Sequence, residues 1–146
     1  MSEQDVELVG RLYEGERELV GLQREGGDLC GHPWLELWHA ECMLEDIAEA
    51  PDRNSYRGRE GVARYFTDAF EEVWDEWRFT PIEIVEAGEG VLAVVDLVAR
   101  SKSGVEVTIR LYQVFRTRDG LIAFATGSAD RDEALRALDP GGRSAL

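Results

Sequence analysis

The sequence predicts one α+β domain in which helices cover a mostly antiparallel sheet. Three observations carry this expectation. Apolar residues recur at helical spacing through the first half of the chain. Beyond about residue 77 the period becomes that of strands. The turn signals Gly88-Glu89-Gly90, Ser103-Gly104 and Asp119-Gly120 then divide the second half into hairpin-length pieces. Helices followed by a run of strands form the α+β pattern.

Residues 3–24 read as a first helix: Val6, Val9, Tyr13 and Val20 lie at roughly helical spacing, with Leu8, Leu12 and Leu19 beside them. Gly10 and Gly15 lower its propensity without ending it. Gly26-Gly27-Asp28 breaks the pattern, and Pro33 opens a short second helix whose apolar side is Trp34, Leu35, Leu37 and Trp38. A short strand is expected at 41–47 and a loop at 50–55. The clearest helix spans 60–76, where Val62, Tyr65, Phe66, Ala69, Phe70, Val73, Trp74 and Trp77 keep a 3-4 spacing. Strands follow at about 78–87, 91–101, 105–118 and 121–129. A last helix starts at Asp130, a suitable N-cap, and the domain ends near 139 with a loose tail over 140–146.

The chain has 146 residues, enough for one core that hides about two thirds of the unfolded surface. Its formal charge of −14 repels phosphate backbones and anionic lipid, which argues against nucleic acid and membrane partners. Cys30 and Cys42 lack a CxxC spacing and read as reduced thiols. No apolar run approaches the ~20 residues of a membrane span, and the acidic start lacks a signal region, so a cytoplasmic protein is expected. The runs Val91–Val95 and Leu97–Ala99 are too apolar for a sheet with one wet face. A second copy of the chain is the simplest cover, which gives a homodimer through the sheet around Arg110 and Tyr112. Phosphate-loop and dinucleotide motifs are missing, so no cofactor is expected.

Several local motifs resemble the SnoaL-like branch of the NTF2-like superfamily. The first is Tyr56-Arg57-Gly58-Arg59-Glu60-Gly61, which matches the Tyr-x-Gly-x-Glu-Gly segment before the aromatic helix. The second is the last hairpin, from Val114 to Ile122; the third is Asp130-Arg131-Asp132-Glu133-Ala134-Leu135. The resemblance covers nearly the whole chain. It implies a cone-shaped fold with a small apolar pocket. It does not select among isomerases, polyketide cyclases, dehydratases and non-catalytic modules.

Against that resemblance, Asp46 in Leu44-Glu45-Asp46-Ile47 matches the general base of the isomerases, although Ile47 stands where proline is usual. A carboxylate in an apolar pocket can shuttle a proton from an acidic carbon. Gln113 occupies about the place of an oxyanion-hole acid and is the one polar side chain on the face Val105, Val107, Ile109, Leu111, Gln113, Phe115. The isomerases' helix-borne Tyr has no aligned counterpart, because the longer first helix displaces Tyr13.

Asp96, inside the run Val94–Val98, is either a second acid or the ion-pair partner of Arg110. Trp38 and Tyr65 are expected to wall the pocket, and His39 to line its mouth. His32, Glu36 and His39 have metal-like helical spacing, but His32 precedes Pro33 at the helix boundary, so no metal is assigned. The expected function is acid/base isomerase, cyclase or hydratase chemistry on a small hydrophobic carbonyl compound. The alternative is a non-catalytic small-ligand-binding or dimerisation module.

Overall fold

The computed structural model describes residues 2–24, 29, 31–50, 54–70 and 74–138. Helix α1 spans Ser2–Arg24 and buries Leu8, Val9, Leu12, Tyr13 and Leu19, the stripe that its spacing predicts. The second helix is a 3₁₀ turn, Pro33–Leu37, rather than an α-helix. His32 caps it, its Nδ1 accepting from the Trp34 amide at 3.1 Å.

Strand β1 (Trp38–Glu45) begins earlier than expected, and a short, unforeseen β2 (Ser55–Arg57) pairs antiparallel with it at the end of the expected loop. The aromatic helix is shorter than its periodicity suggests. It is α2 (Gly58–Arg64) continued by a π-helical stretch, Tyr65–Phe70. Trp74 and Trp77 lie on β3 (Trp74–Ala87), where alternation rather than helical period buries Trp77. A bulky residue at every third or fourth position fits both elements across this junction, so the helical period misleads there. The side chains of Val20, Ala69 and Phe70, all of Val73 and Cys30, and the tail 140–146 lie outside the described residues.

Strands β4 (Gly90–Ser101), β5 (Glu106–Arg118) and β6 (Leu121–Ser128) complete a six-stranded sheet of order β2-β1-β6-β5-β4-β3. Every neighbouring pair is antiparallel except β1 with β6. Asp119 (φ 55°) and Gly120 (φ 77°) turn the last hairpin, both in the left-handed region that a tight two-residue turn requires.

The inner face of β4 carries Val91, Ala93, Val95, Leu97 and Ala99, all buried in the main core with α1. Its outer face carries Leu92 and Val94, which pack with Val114 against Ala134 and Leu138 at helix α3 (Arg131–Arg136) and the turn after it. The chain's own C-terminal helix therefore covers part of the second apolar face for which a second copy was expected. Asp130 caps α3, accepting from the Asp132 amide at 3.0 Å.

Candidate functional site

Between α1, the π-helical turn and the concave sheet lies a cavity of about 40 Å³. Leu12 and Glu16 reach it from α1, Trp38, Leu44 and Glu45 from β1, Tyr65 and Phe66 from the turn, and Gln113 from β5. Ile47 and Gly127 also line it. Three sequence-derived residues, Trp38, Tyr65 and Gln113, thus meet in one place. Each arrives by a different rule: strand alternation for Gln113, the aromatic period for Tyr65, and the start of β1 for Trp38.

Gln113 is fixed by Tyr13, whose hydroxyl donates to the Gln113 Oε1 in a short hydrogen bond. Tyr13 thus reaches Gln113 from α1, although it is not itself among the lining residues. Its ring stands edge-on to Phe115 at 6.1 Å. With Oε1 occupied, the Gln113 amide N–H groups are its remaining polar atoms. They have no hydrogen-bond partner among the described residues.

Glu16 escaped the sequence reading. It lies four residues after Leu12 and three after Tyr13, on the apolar stripe of α1, and only 6% of its surface is exposed. The signal was present: a charged residue at a core-facing helical position, the same argument that singled out Gln113. Its Oε2 has no hydrogen-bond partner among the described residues. Burial pushes its carboxyl well above the usual carboxylate range. Burial likewise raises the Tyr13 and Tyr65 hydroxyls. A Glu16 charge would add to both rises, but only where Glu16 has itself ionised. A second buried polar atom, Trp38 Nε1, also lacks a partner among the described residues.

Asp46 follows β1 and is half-buried beside the cavity rather than among its lining residues. Its Oδ2 accepts from the Asn54 amide at 3.0 Å, and its backbone carbonyl accepts from the Thr126 hydroxyl at 3.2 Å. It is near enough to Tyr65 for its charge to oppose ionisation of that phenol.

The structure does not bring Asp96 or His39 to the cavity. Asp96 pairs in register with Arg110 on the outer face, because β4 turns its odd-numbered residues inward. Arg110 Nε donates to Asp96 Oδ1 at 2.5 Å, and this bond holds the Asp96 carboxyl below its ordinary range. His39 lies near the β5–β6 turn, where Arg118 donates to its Nε2 at 3.3 Å and Asp119 stands 3.6 Å away. His32 lies near Glu18, so His32, Glu36 and His39 do not converge. No group of three metal-ligating side chains forms among the described residues.

A wider cleft of about 550 Å³ lies over the far end of β3, β4 and β5, beside Arg17, Trp77 and Val107. It holds none of the sequence-derived residues, and its charged groups are exposed or half-exposed. The smaller cavity, with its buried polar groups, is therefore the candidate site. No described helix is long and apolar enough to cross a membrane.

Comparison with known structures gives the same architecture. An NTF2-like protein of unknown function from Burkholderia pseudomallei superposes with a TM-score of 0.69 at 19% identity, over 95% of this chain and 99% of that one. TerC, co-crystallised with polyporic acid, gives 0.69 at 19% identity, over 90% and 98% of the two chains. A Mycobacterium tuberculosis protein solved in complex with estradiol-17beta-hemisuccinate gives 0.64 at 19% identity, over 87% and 93%. Identities this low speak for the fold alone. No curated protein matches the chain. The model of the SnoaL-like domain matches residues 25–125, from before the 3₁₀ turn into β6, and the chain belongs to the SnoaL-like domain family.

Proposed function

We propose that the cavity binds the carbonyl group of a small, neutral, hydrophobic molecule and supports proton transfer at the adjacent carbon. The orientation of Gln113 carries this reading. Tyr13 occupies its oxygen, so the amide presents N–H donors to whatever enters, as a carbonyl requires. Asp46 is the proton acceptor of the proposal. It would take a proton from the carbon beside the carbonyl and return it to the same or a conjugated position, while Gln113 stabilises the negative oxygen between the two steps.

Solvent-deuterium exchange at the methyl group of acetophenone, followed by NMR, tests the proposal. The protein should accelerate exchange over buffer. Asp46→Asn should remove about 10²–10⁴-fold of the acceleration, and Gln113→Leu about 10²–10³-fold. Binding of acetophenone without acceleration would favour the second reading, a non-catalytic binding module. One observation supports that module: Asp46 stands beside the cavity and not in its lining.

The outer sheet face fits a homodimer contact. Val98 is 36% exposed there, next to the Asp96–Arg110 pair and beyond the reach of α3. Light scattering at micromolar concentration should give twice the chain mass; the mass of one chain would remove the dimer from the proposal. A cytoplasmic, reducing setting fits the free, buried Cys42.

A further inference from the structure

We infer that the cavity has a second polar subsite, formed by Glu16 and Trp38, that takes a neutral hydroxyl group of the ligand. This deepens the carbonyl reading and rests on it for the other end of the molecule. Two buried polar atoms, Glu16 Oε2 and Trp38 Nε1, have no hydrogen-bond partner among the described residues. Both side chains line the same cavity. Buried polar atoms are nearly always paired, so two orphans on one cavity mark something that the cavity receives.

The chemistry of the two atoms narrows the class. An indole N–H only donates, so the incoming group needs a lone pair. A carboxyl group on Glu16 donates through its O–H and keeps acceptor capacity. Burial disfavours the Glu16 carboxylate and so favours its protonated form. A hydroxyl satisfies both atoms at once, accepting from Trp38 and exchanging a hydrogen bond with Glu16. A hydrocarbon leaves both unpaired. An anion would be buried without a cation, since the described lining contains no Arg, Lys or His. The surrounding rings of Tyr65, Phe66, Phe79 and Phe115 suit a flat or cyclic body. The substrate class is thus a neutral hydroxy-carbonyl compound, with the carbonyl on Gln113 and the hydroxyl between Glu16 and Trp38.

Heteronuclear NMR of the indole N–H resonances tests this, with the Trp38 signal assigned by its loss in Trp38→Phe. The probes are para-hydroxyacetophenone, acetophenone and para-ethylphenol, titrated at about pH 6, where the phenols are neutral. The first should bind at least about tenfold more tightly than acetophenone and shift the Trp38 resonance. Glu16→Leu should abolish that preference. If acetophenone binds as tightly as its hydroxy derivative and the Trp38 resonance stays still, the subsite is wrong and the carbonyl reading stands. If para-ethylphenol shifts Trp38 while Gln113→Leu leaves acetophenone binding unaltered, the carbonyl reading is wrong and the subsite stands. Failure of every probe to shift any cavity resonance at millimolar concentration overturns both.

Discussion

Replacing Gly15 by alanine should destabilise the protein by about 1–3 kcal/mol, although alanine is the better helix former. Two effects compete. Helix propensity favours alanine over glycine by about 0.8–1.0 kcal/mol. Against it, a Cβ at Gly15 would fall inside contact distance of Trp34 Cδ1 and lie 3.1 Å from Trp34 Nε1. That ring has little freedom to retreat. It is 4% exposed, its indole N–H donates to the Leu12 carbonyl at 2.9 Å, and it stands edge-on to Trp38 and Phe66 at 5.8 and 5.3 Å. Moving it gives up that hydrogen bond, worth about 1 kcal/mol, and loosens the aromatic cluster behind the cavity. The control is Gly10→Ala on the same helix, where an added Cβ meets nothing within 4 Å. There propensity acts alone, and the protein should gain about 0.5–1 kcal/mol. Thermal melts of the two variants should move in opposite directions, by roughly 2–4 °C per kcal/mol at this chain length. Movement in the same direction would mean that Trp34 does not rest on Gly15.

The contrast between these two glycines shows where sequence reading reached and where it stopped. Spacing placed α1, and turn residues placed the hairpins β3–β4, β4–β5 and β5–β6, because each signal is local. Spacing alone made Gly15 a weak point in a helix. Only the packed structure shows it to be the seat of Trp34. The same limit explains β3. Trp74 and Trp77 keep helical spacing with the turn before them, and strand pairing with β4 overrides it. It also explains β2, three residues long, which exists only because β1 offers an edge.

In the site, Gln113 was legible because strand alternation isolates one polar residue on an apolar face. Asp96 was legible as an ion-pair partner, but its distance from the cavity followed only from register with Arg110. Glu16 required the same test of an apolar face to be applied to a helix. The Tyr13–Gln113 contact joins residues 100 apart in sequence, which no local rule foretells.

Raising the pH should cost the wild-type protein stability that Glu16→Gln keeps. The Glu16 carboxyl is buried, and its folded pKa is raised well above the ordinary range, while in the unfolded chain it titrates near about 4.3. Between those two values the folded state holds a proton that the unfolded state has released. The folded state binds more protons there, so unfolding free energy falls as pH rises. The full contribution is present below the unfolded value and is lost as pH climbs to the folded one. Glutamine has nearly the same volume and never ionises, so the variant lacks this loss. In urea titrations across that range, the difference between the two proteins should grow by about 1.4 kcal/mol per pH unit. It should then become flat, and the pH of flattening is the folded pKa of Glu16. All other titrating groups are common to both chains and cancel in the difference. Parallel profiles would mean that Glu16 sits in water. A widening difference would show a proton held inside the cavity at neutral pH, which is the state that a hydroxyl ligand needs Glu16 to offer.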